Sequence, residues 1–145
     1  MSEAAYLETS ALLAWLLGEP EGDAVRREVD AAALVVTSRL TLVEAERGLL
    51  RAEGEGRISP AERHTLVGVL AGARAGWFRL ALSEAICERA GKPFPVEPVR
   101  TLDGLHLASA LTALEAYPDL RVLTLDDRVT NNARGLGLAV ASLQP

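Results

Sequence analysis

Cysteine, lysine and aromatic residues are all scarce in this chain, and each shortage narrows what it can be. A single cysteine, Cys87, cannot form an internal disulfide, which agrees with a reducing compartment. The plainer reading of Cys87 is a small buried side chain. One lysine, Lys92, stands against fourteen arginines, and the net charge is −5. Such a balance argues against binding nucleic acid through a broad basic surface. It leaves open binding bridged by a metal ion, or by a local cluster of arginines, whose guanidinium groups suit bidentate phosphate contacts. Aromatics make up 4% of the residues and hydrophobic residues 49%, so the core must be built from Leu, Val and Ala. Long apolar runs are missing as well: the longest, Ala11 to Leu17, has seven residues, against roughly 18 for a membrane span. The start, Met1-Ser2-Glu3-Ala4-Ala5, has no basic region and carries an acid, which predicts no secretory signal and a cytoplasmic location. Ser10 has no G-x-S-x-G elbow around it, and no glycine-rich phosphate loop occurs. The two histidines, His64 and His106, and the lone cysteine offer no zinc spacing.

What is present is a regular alternation of apolar strands and capped helices. The 145 residues suffice for one ordinary domain. Ala4 to Leu7 reads as a short buried strand, followed by Thr9-Ser10 as caps for a helix that breaks at Gly18. A second helix is predicted over Glu21 to Ala31, a strand over Ala33 to Thr37, and a helix capped by Ser38 over Arg39 to Glu53. Ser59-Pro60-Ala61-Glu62 is a strong helix start, with Ser as cap, Pro at the first position and Glu closing the capping box. That helix should reach about Ala75. A third strand is expected from Trp77 to Leu82, then a helix from Ser83 to Ala90 and a proline-stiffened loop from Gly91 to Pro98. Thr101 opens a helix to Ala116, Arg121 to Leu125 reads as the fourth strand, Arg128 to Arg134 as a helix and Leu138 to Ser142 as the last strand. Continuous apolar strands separated by helices predict a mostly parallel sheet covered on both faces.

Four acids, Glu8, Glu44, Asp103 and Asp126, fall where strands end or helices begin. In open parallel sheets the ligand site lies at the carboxyl ends of the strands, near the point where strand order reverses. Glu8 and Asp126 would be neighbours if the first strand is central. Each acid also has a plainer reading. Glu8 would suit the positive end of a helix dipole, and Asp126 or Asp127 would cap the next helix. Glu44 would pair with Arg47 at i, i+3. Asp103 heads the stripe Leu107, Ala110, Leu111 and Leu114, so it points toward the protein rather than into bulk water. Together the four describe a hard oxygen site of the kind that suits Mg²⁺ or Mn²⁺. His106, one turn after Asp103, is read as a packed or solvated histidine rather than a ligand. Arg47, Arg51 and Arg100 are candidate phosphate or partner contacts, with a solvated, internally paired helix face as the alternative for them.

The segments Tyr6-Leu7-Glu8-Thr9-Ser10-Ala11-Leu12, Ser38 to Glu44, Arg100-Thr101-Leu102-Asp103-Gly104-Leu105-His106-Leu107-Ala108 and Val122 to Asp126 resemble the successive acidic motifs of PIN-domain ribonucleases, especially VapC-type toxins. The resemblance implies a Rossmann-like three-layer α/β/α fold with a five-stranded parallel sheet. It implies a Mg²⁺- or Mn²⁺-dependent endoribonuclease, inhibition by a small VapB-type antitoxin, and a homodimer. It further implies that Glu8, Glu44, Asp103 and Asp126 are the metal-site acids, with Ser10 and Thr124 in support. Asp103 would orient the attacking water, Glu8 and Asp126 would hold the metal, and Glu44 would complete the acidic ring. The family usually has Asp where this chain has Glu8, and the extra methylene should carry the carboxylate outward by about 1.5 Å. A module that binds antitoxin or RNA without efficient cleavage is therefore the alternative. A phospho-acceptor receiver domain shares the α/β plan but needs a lysine late in the sheet, and Lys92 sits in the proline-rich loop.

Overall fold

The computed structural model describes residues 3–145; Met1 and Ser2, on which the reading of the chain start partly rests, lie outside the described residues. The elements follow in the order β1 (Ala4–Leu7), α1 (Thr9–Leu16), α2 (Gly22–Ala31), β2 (Leu34–Ser38), α3 (Arg39–Gly54), α4 (Pro60–Arg74), β3 (Phe78–Leu80), α5 (Glu84–Ala90), α6 (Thr101–Ala116), β4 (Arg121–Leu123), α7 (Asp127–Gly135) and β5 (Ala139–Val140). The five strands form one sheet in the order β3-β2-β1-β4-β5, and every pair is parallel. β1 is therefore central. The chain leaves it first toward β2 and later returns on its other side to β4, so strand order reverses at the β1/β4 seam.

The period of two in a strand divides the core into two layers. Ala5, Leu7, Val35 and Leu123 face one way, into a cluster with Leu12, Leu16, Val25, Leu42, Leu49 and Leu70 of α1–α4. Ala4, Tyr6, Val36 and Val122 face the other way, against Leu107, Ala110 and Ala113 of α6 and Val129 and Ala133 of α7. Each layer removes its apolar surface from water, worth roughly 25 cal/mol per Å². This is the three-layer α/β/α arrangement.

The helix starts follow the side-chain chemistry closely. Ser38 caps α3, Ser83 caps α5, and Ser59 with Glu62 forms the full capping box of α4. Five expectations need correction, one of them the last strand, which covers Ala139–Val140 rather than Leu138 to Ser142. The cap of α1 is Glu8 rather than Thr9 or Ser10, since its carboxylate accepts the Ser10 N–H. β4 stops at Leu123 rather than Leu125 because the next amides turn to side chains: Leu125 N donates to Ser10 Oγ and Asp126 N to Thr124 Oγ1. β3 covers only Phe78–Leu80, because the Trp77 N–H is taken by a turn to Arg74 O. Cys87 is exposed rather than buried; in the short α5 only Ile86 turns inward, and the next residue lies about 100° further round the helix.

The Gly91–Pro98 loop is fixed by more than its prolines. Glu97 accepts from Phe94 N and Val99 N with its two oxygens. Asn132 of α7, itself buried, exchanges two hydrogen bonds with the Val96 backbone at 2.8 and 3.0 Å. The loop therefore delivers Arg100 and the start of α6 to the carboxyl edge of the sheet along a defined path. None of the helices is long and apolar enough to cross a membrane among the described residues.

Candidate functional site

Glu8 directly follows the central strand. Its N–H continues the ladder to Leu123 O at 3.0 Å, and its extended backbone, φ −94 and ψ 157, breaks into α1 at the next residue. The side chain does not reach outward as the extra methylene suggested. It folds back over the start of α1, only 5% exposed, and accepts from Ser10 N at 2.9 Å, Ser10 Oγ at 2.5 Å and Thr124 Oγ1 at 2.5 Å. Three donors replace the water that this buried carboxylate has lost.

Thr124 and Ser10 tie Glu8 to the next acid. Thr124 Oγ1 accepts from Asp126 N at 3.1 Å, so one hydroxyl serves both motifs across the β1/β4 seam. Asp126 does cap α7, its Oδ1 accepting from Arg128 N and Val129 N at 2.9 and 3.0 Å. Its Oδ2 is turned the other way, 3.7 Å from Arg100 Nη2. The same guanidinium donates from Nε to Asp103 Oδ2 at 3.2 Å, and Asp103 has a side chain only 14% exposed. Arg100, largely exposed itself, therefore stands as a cation between two of the four acids.

Glu44 is joined to the group by a different route. Among the described residues no ion pair links it to Arg47; instead it points inward, where Oε1 accepts from Thr9 Oγ1 and from His106 Nε2, both at 2.6 Å. Burial alone would push this carboxyl up, but the hydrogen bonds from His106 and Thr9 and the charge interaction with His106 outweigh it and hold Glu44 below its ordinary value. His106 is 2% exposed, and its Nδ1 lies 2.9 Å from the Tyr6 hydroxyl. Thr9 is the neighbour of Glu8, and His106 lies one turn from Asp103.

All four acids thus lie at the carboxyl edge of the sheet, along one line of contacts that runs Asp103, Arg100, Asp126, Thr124, Glu8, Thr9, Glu44, His106. Ser10 and Thr124 are part of it. Arg47 and Arg51 are not: both are exposed on the outer face of α3. Sequence reasoning missed Tyr6, Thr9 and His106. Their signal was available only in part, through the position of His106 one turn beyond Asp103 and of Thr9 beside Glu8.

The donor chemistry, four carboxylates flanked by hydroxyls, fits a hard divalent ion. In the present side-chain arrangement each carboxylate is engaged by an internal donor. Among the described residues no three His, Cys, Asp or Glu side chains converge on one point where an ion would sit. Binding would exchange some of these internal donors for the ion.

The PIN domain model matches residues 5–135. Ribonuclease VapC46 of Mycobacterium tuberculosis is 36% identical over 138 residues, covering 94% of this chain and 95% of the relative. Ribonuclease VapC35 of the same organism is 34% identical over 139 residues, with 94% and 95% covered. Among solved structures, the Mycobacterium tuberculosis sarcin-ricin loop cleaving toxin VapC20 superposes with a TM-score of 0.67 at 14% identity, covering 97% of this chain and 99% of that one. VapBC2 from Rickettsia felis, bound to a DNA fragment from its promoter, gives 0.67 at 11% identity, with 95% and 97% covered. Sequence likeness over nearly the full length and the shared fold agree with the motif pattern, and the chain belongs to the PIN-domain family, with the VapC proteins as its relatives.

Proposed function

We propose that this chain is a metal-dependent endoribonuclease toxin that hydrolyses RNA phosphodiester bonds and is neutralised by a cognate VapB-type antitoxin, acting in the cytoplasm as a homodimer. The observation that carries the proposal is the gathering of Glu8, Glu44, Asp103 and Asp126, residues spread from position 8 to position 126, at the reversal point of the sheet, linked through hydrogen bonds, the Arg100 ion pairs and the peptide bond between Glu8 and Thr9. The ribonuclease names of the relatives support the reaction class, and the toxin-antitoxin complexes among the structural neighbours support the partner.

Glu8, Asp103, Asp126 and Glu44 would hold Mg²⁺ or Mn²⁺. The bound ion would supply Lewis-acid polarisation of a phosphoryl oxygen and make water a nucleophile near neutral pH. The residues of the chain do the rest. Ser10 and Thr124 fix the Glu8 carboxylate against the β1/β4 seam. Asp103, inward-facing at the start of α6, is the group placed to orient the attacking water. Arg100 can donate to a phosphate oxygen once drawn away from Asp103 and Asp126. Beside it, a cavity of about 530 Å³ lined by Lys92, Phe94, Arg100 and Gly104 offers RNA a partly cationic approach to an otherwise acidic surface. Arg47 and Arg51 are exposed candidates for antitoxin or RNA contact on α3.

RNA incubated with the purified chain should be cut in Mg²⁺ or Mn²⁺, with cutting abolished by EDTA and reduced by roughly 10²-fold or more in Asp103→Ala. Cleavage indifferent to both would overturn the proposal. One observation favours a second reading, a module that binds without efficient turnover: both oxygens of Glu8 are already taken by internal donors. Glu8→Asp separates the two. Our reading expects no gain over the parent, whereas a tenfold faster variant would favour the weak module.

A further inference from the structure

Buried behind Glu44 is a polar chain that the reaction does not use directly. It runs from Tyr6 on β1, through His106 on α6, to Glu44 on α3, and Thr9 at the start of α1 closes it from the side. Four elements thus converge on one imidazole, and Tyr6 and His106 are both nearly inaccessible, at 1% and 2% exposure. Packing alone does not account for this. A histidine needed only to fill space between α6 and the sheet would be replaced at lower cost by an apolar side chain, since every polar atom buried here must find a partner.

The directions of the bonds follow from the partners. A carboxylate is ionised at neutral pH and then only accepts. Both groups at 2.6 Å from its Oε1, Thr9 Oγ1 and His106 Nε2, must therefore donate, which puts a proton on Nε2. At the other end the Tyr6 phenol, which carries its hydrogen at neutral pH, lies 2.9 Å from Nδ1 of His106. The hydroxyls of Thr41 and Ser109 also stand beside it; Ser109 donates to Leu105 O.

We infer that Tyr6 and His106 are positioning residues for Glu44: the Tyr6 hydroxyl holds the imidazole at Nδ1, and the proton on Nε2 fixes the direction of the Glu44 carboxylate at the acidic site. The inference rests on the reading of Glu44 as a metal-site acid. Outer partners of this kind that orient a ligating carboxylate typically change metal affinity by about 10–100-fold when removed.

Two measurements test it on the full chain. The first needs neither metal nor RNA: a long-range ¹H–¹⁵N correlation spectrum of the ¹⁵N-labelled protein near pH 7.5, with His64→Gln identifying the second histidine. It should show a proton on Nε2 of His106, and Tyr6→Phe should shift the His106 ring nitrogen signals while the chain stays folded. An Nε2 that carries no proton, or His106 signals that Tyr6→Phe leaves unmoved, would overturn the assignment of the chain. The second is calorimetric titration with Mn²⁺. His106→Leu should bind about 10-fold or more weakly than the parent, while His106→Gln, whose amide can still donate to Glu44, should stay within about threefold of it. Equal affinity in all three would show that the chain does not position Glu44. If His106→Leu fails to fold, Tyr6→Phe carries the test, with an affinity unchanged from the parent counting against the inference. A parent that shows the Nε2 proton but binds no Mn²⁺ would contradict the metal-site reading and the positioning role with it, while leaving the donation from Nε2 to Glu44 established.

Discussion

Thr124 illustrates how a residue that looks like strand packing takes on a structural burden. A threonine in an apolar strand is ordinary, and nothing in Val122-Leu123-Thr124-Leu125 sets it apart except the acid two positions on. In the fold its hydroxyl donates to Glu8 and accepts from Asp126 N, and it is buried. Thr124→Val keeps the shape and removes both bonds, leaving a buried carboxylate one donor short. The expected loss is about 2 kcal/mol, as appropriate for a hydrogen bond to a charged group, read as a lower urea midpoint at unchanged slope. A midpoint equal to that of the parent would show that Ser10 suffices for Glu8. The acids themselves were legible because motif spacing and strand ends marked them. Tyr6, Thr9 and His106 were not, since the contacts of His106 with Tyr6 and Thr9 cross 100 and 97 residues and no local pattern encodes such a meeting.

Elements were read most accurately where local chemistry decides them. The Ser59-Pro60-Ala61-Glu62 start, the Ser38 and Ser83 caps and the Thr101–Ala116 helix match the observed helices. Strand ends were read too long because apolar runs continue past the last ladder bond, and it is the hydroxyls of Ser10 and Thr124 that end β4. The loop before α6 shows the same limit: its prolines were visible, but not the clamp from α7. Asn132→Ala would remove the partner of both polar groups of Val96, the bonds that tie this exposed loop to the buried Asn132. We expect a destabilisation of about 2 kcal/mol, with faster amide exchange confined to the Gly91–Pro98 loop and the first turn of α6. Unchanged exchange there would mean that the prolines and Glu97 hold the loop by themselves.

At the scale of the whole molecule, a chain with a net charge of −5 gathers acids at one edge of its sheet and steadies them with internal donors. Glu44 gives this a pH signature. Its folded value lies below the ordinary one, so its contribution to stability is complete above the unfolded value of about 4.3 and is lost as pH falls through the folded value. Urea midpoints measured in EDTA from neutral to acid pH should therefore fall more steeply below about pH 4.3 in the parent than in Glu44→Gln; parallel curves would contradict the assigned direction. The parallel sheet and the two-sided core were foreshadowed by the alternation of apolar strands and helices, whereas the central place of β1 entered only as a condition for Glu8 and Asp126 to be neighbours, a condition the strand order meets. What the pattern did not convey is that Arg100 would stand between Asp103 and Asp126. Whether these four carboxylates form one site for a hard divalent ion is decided by calorimetric titration of the purified chain with Mn²⁺. Saturable binding that disappears in Asp103→Ala and in Asp126→Ala is expected; binding that survives both substitutions, or a parent that takes up no Mn²⁺, would show that the four acids form no such site.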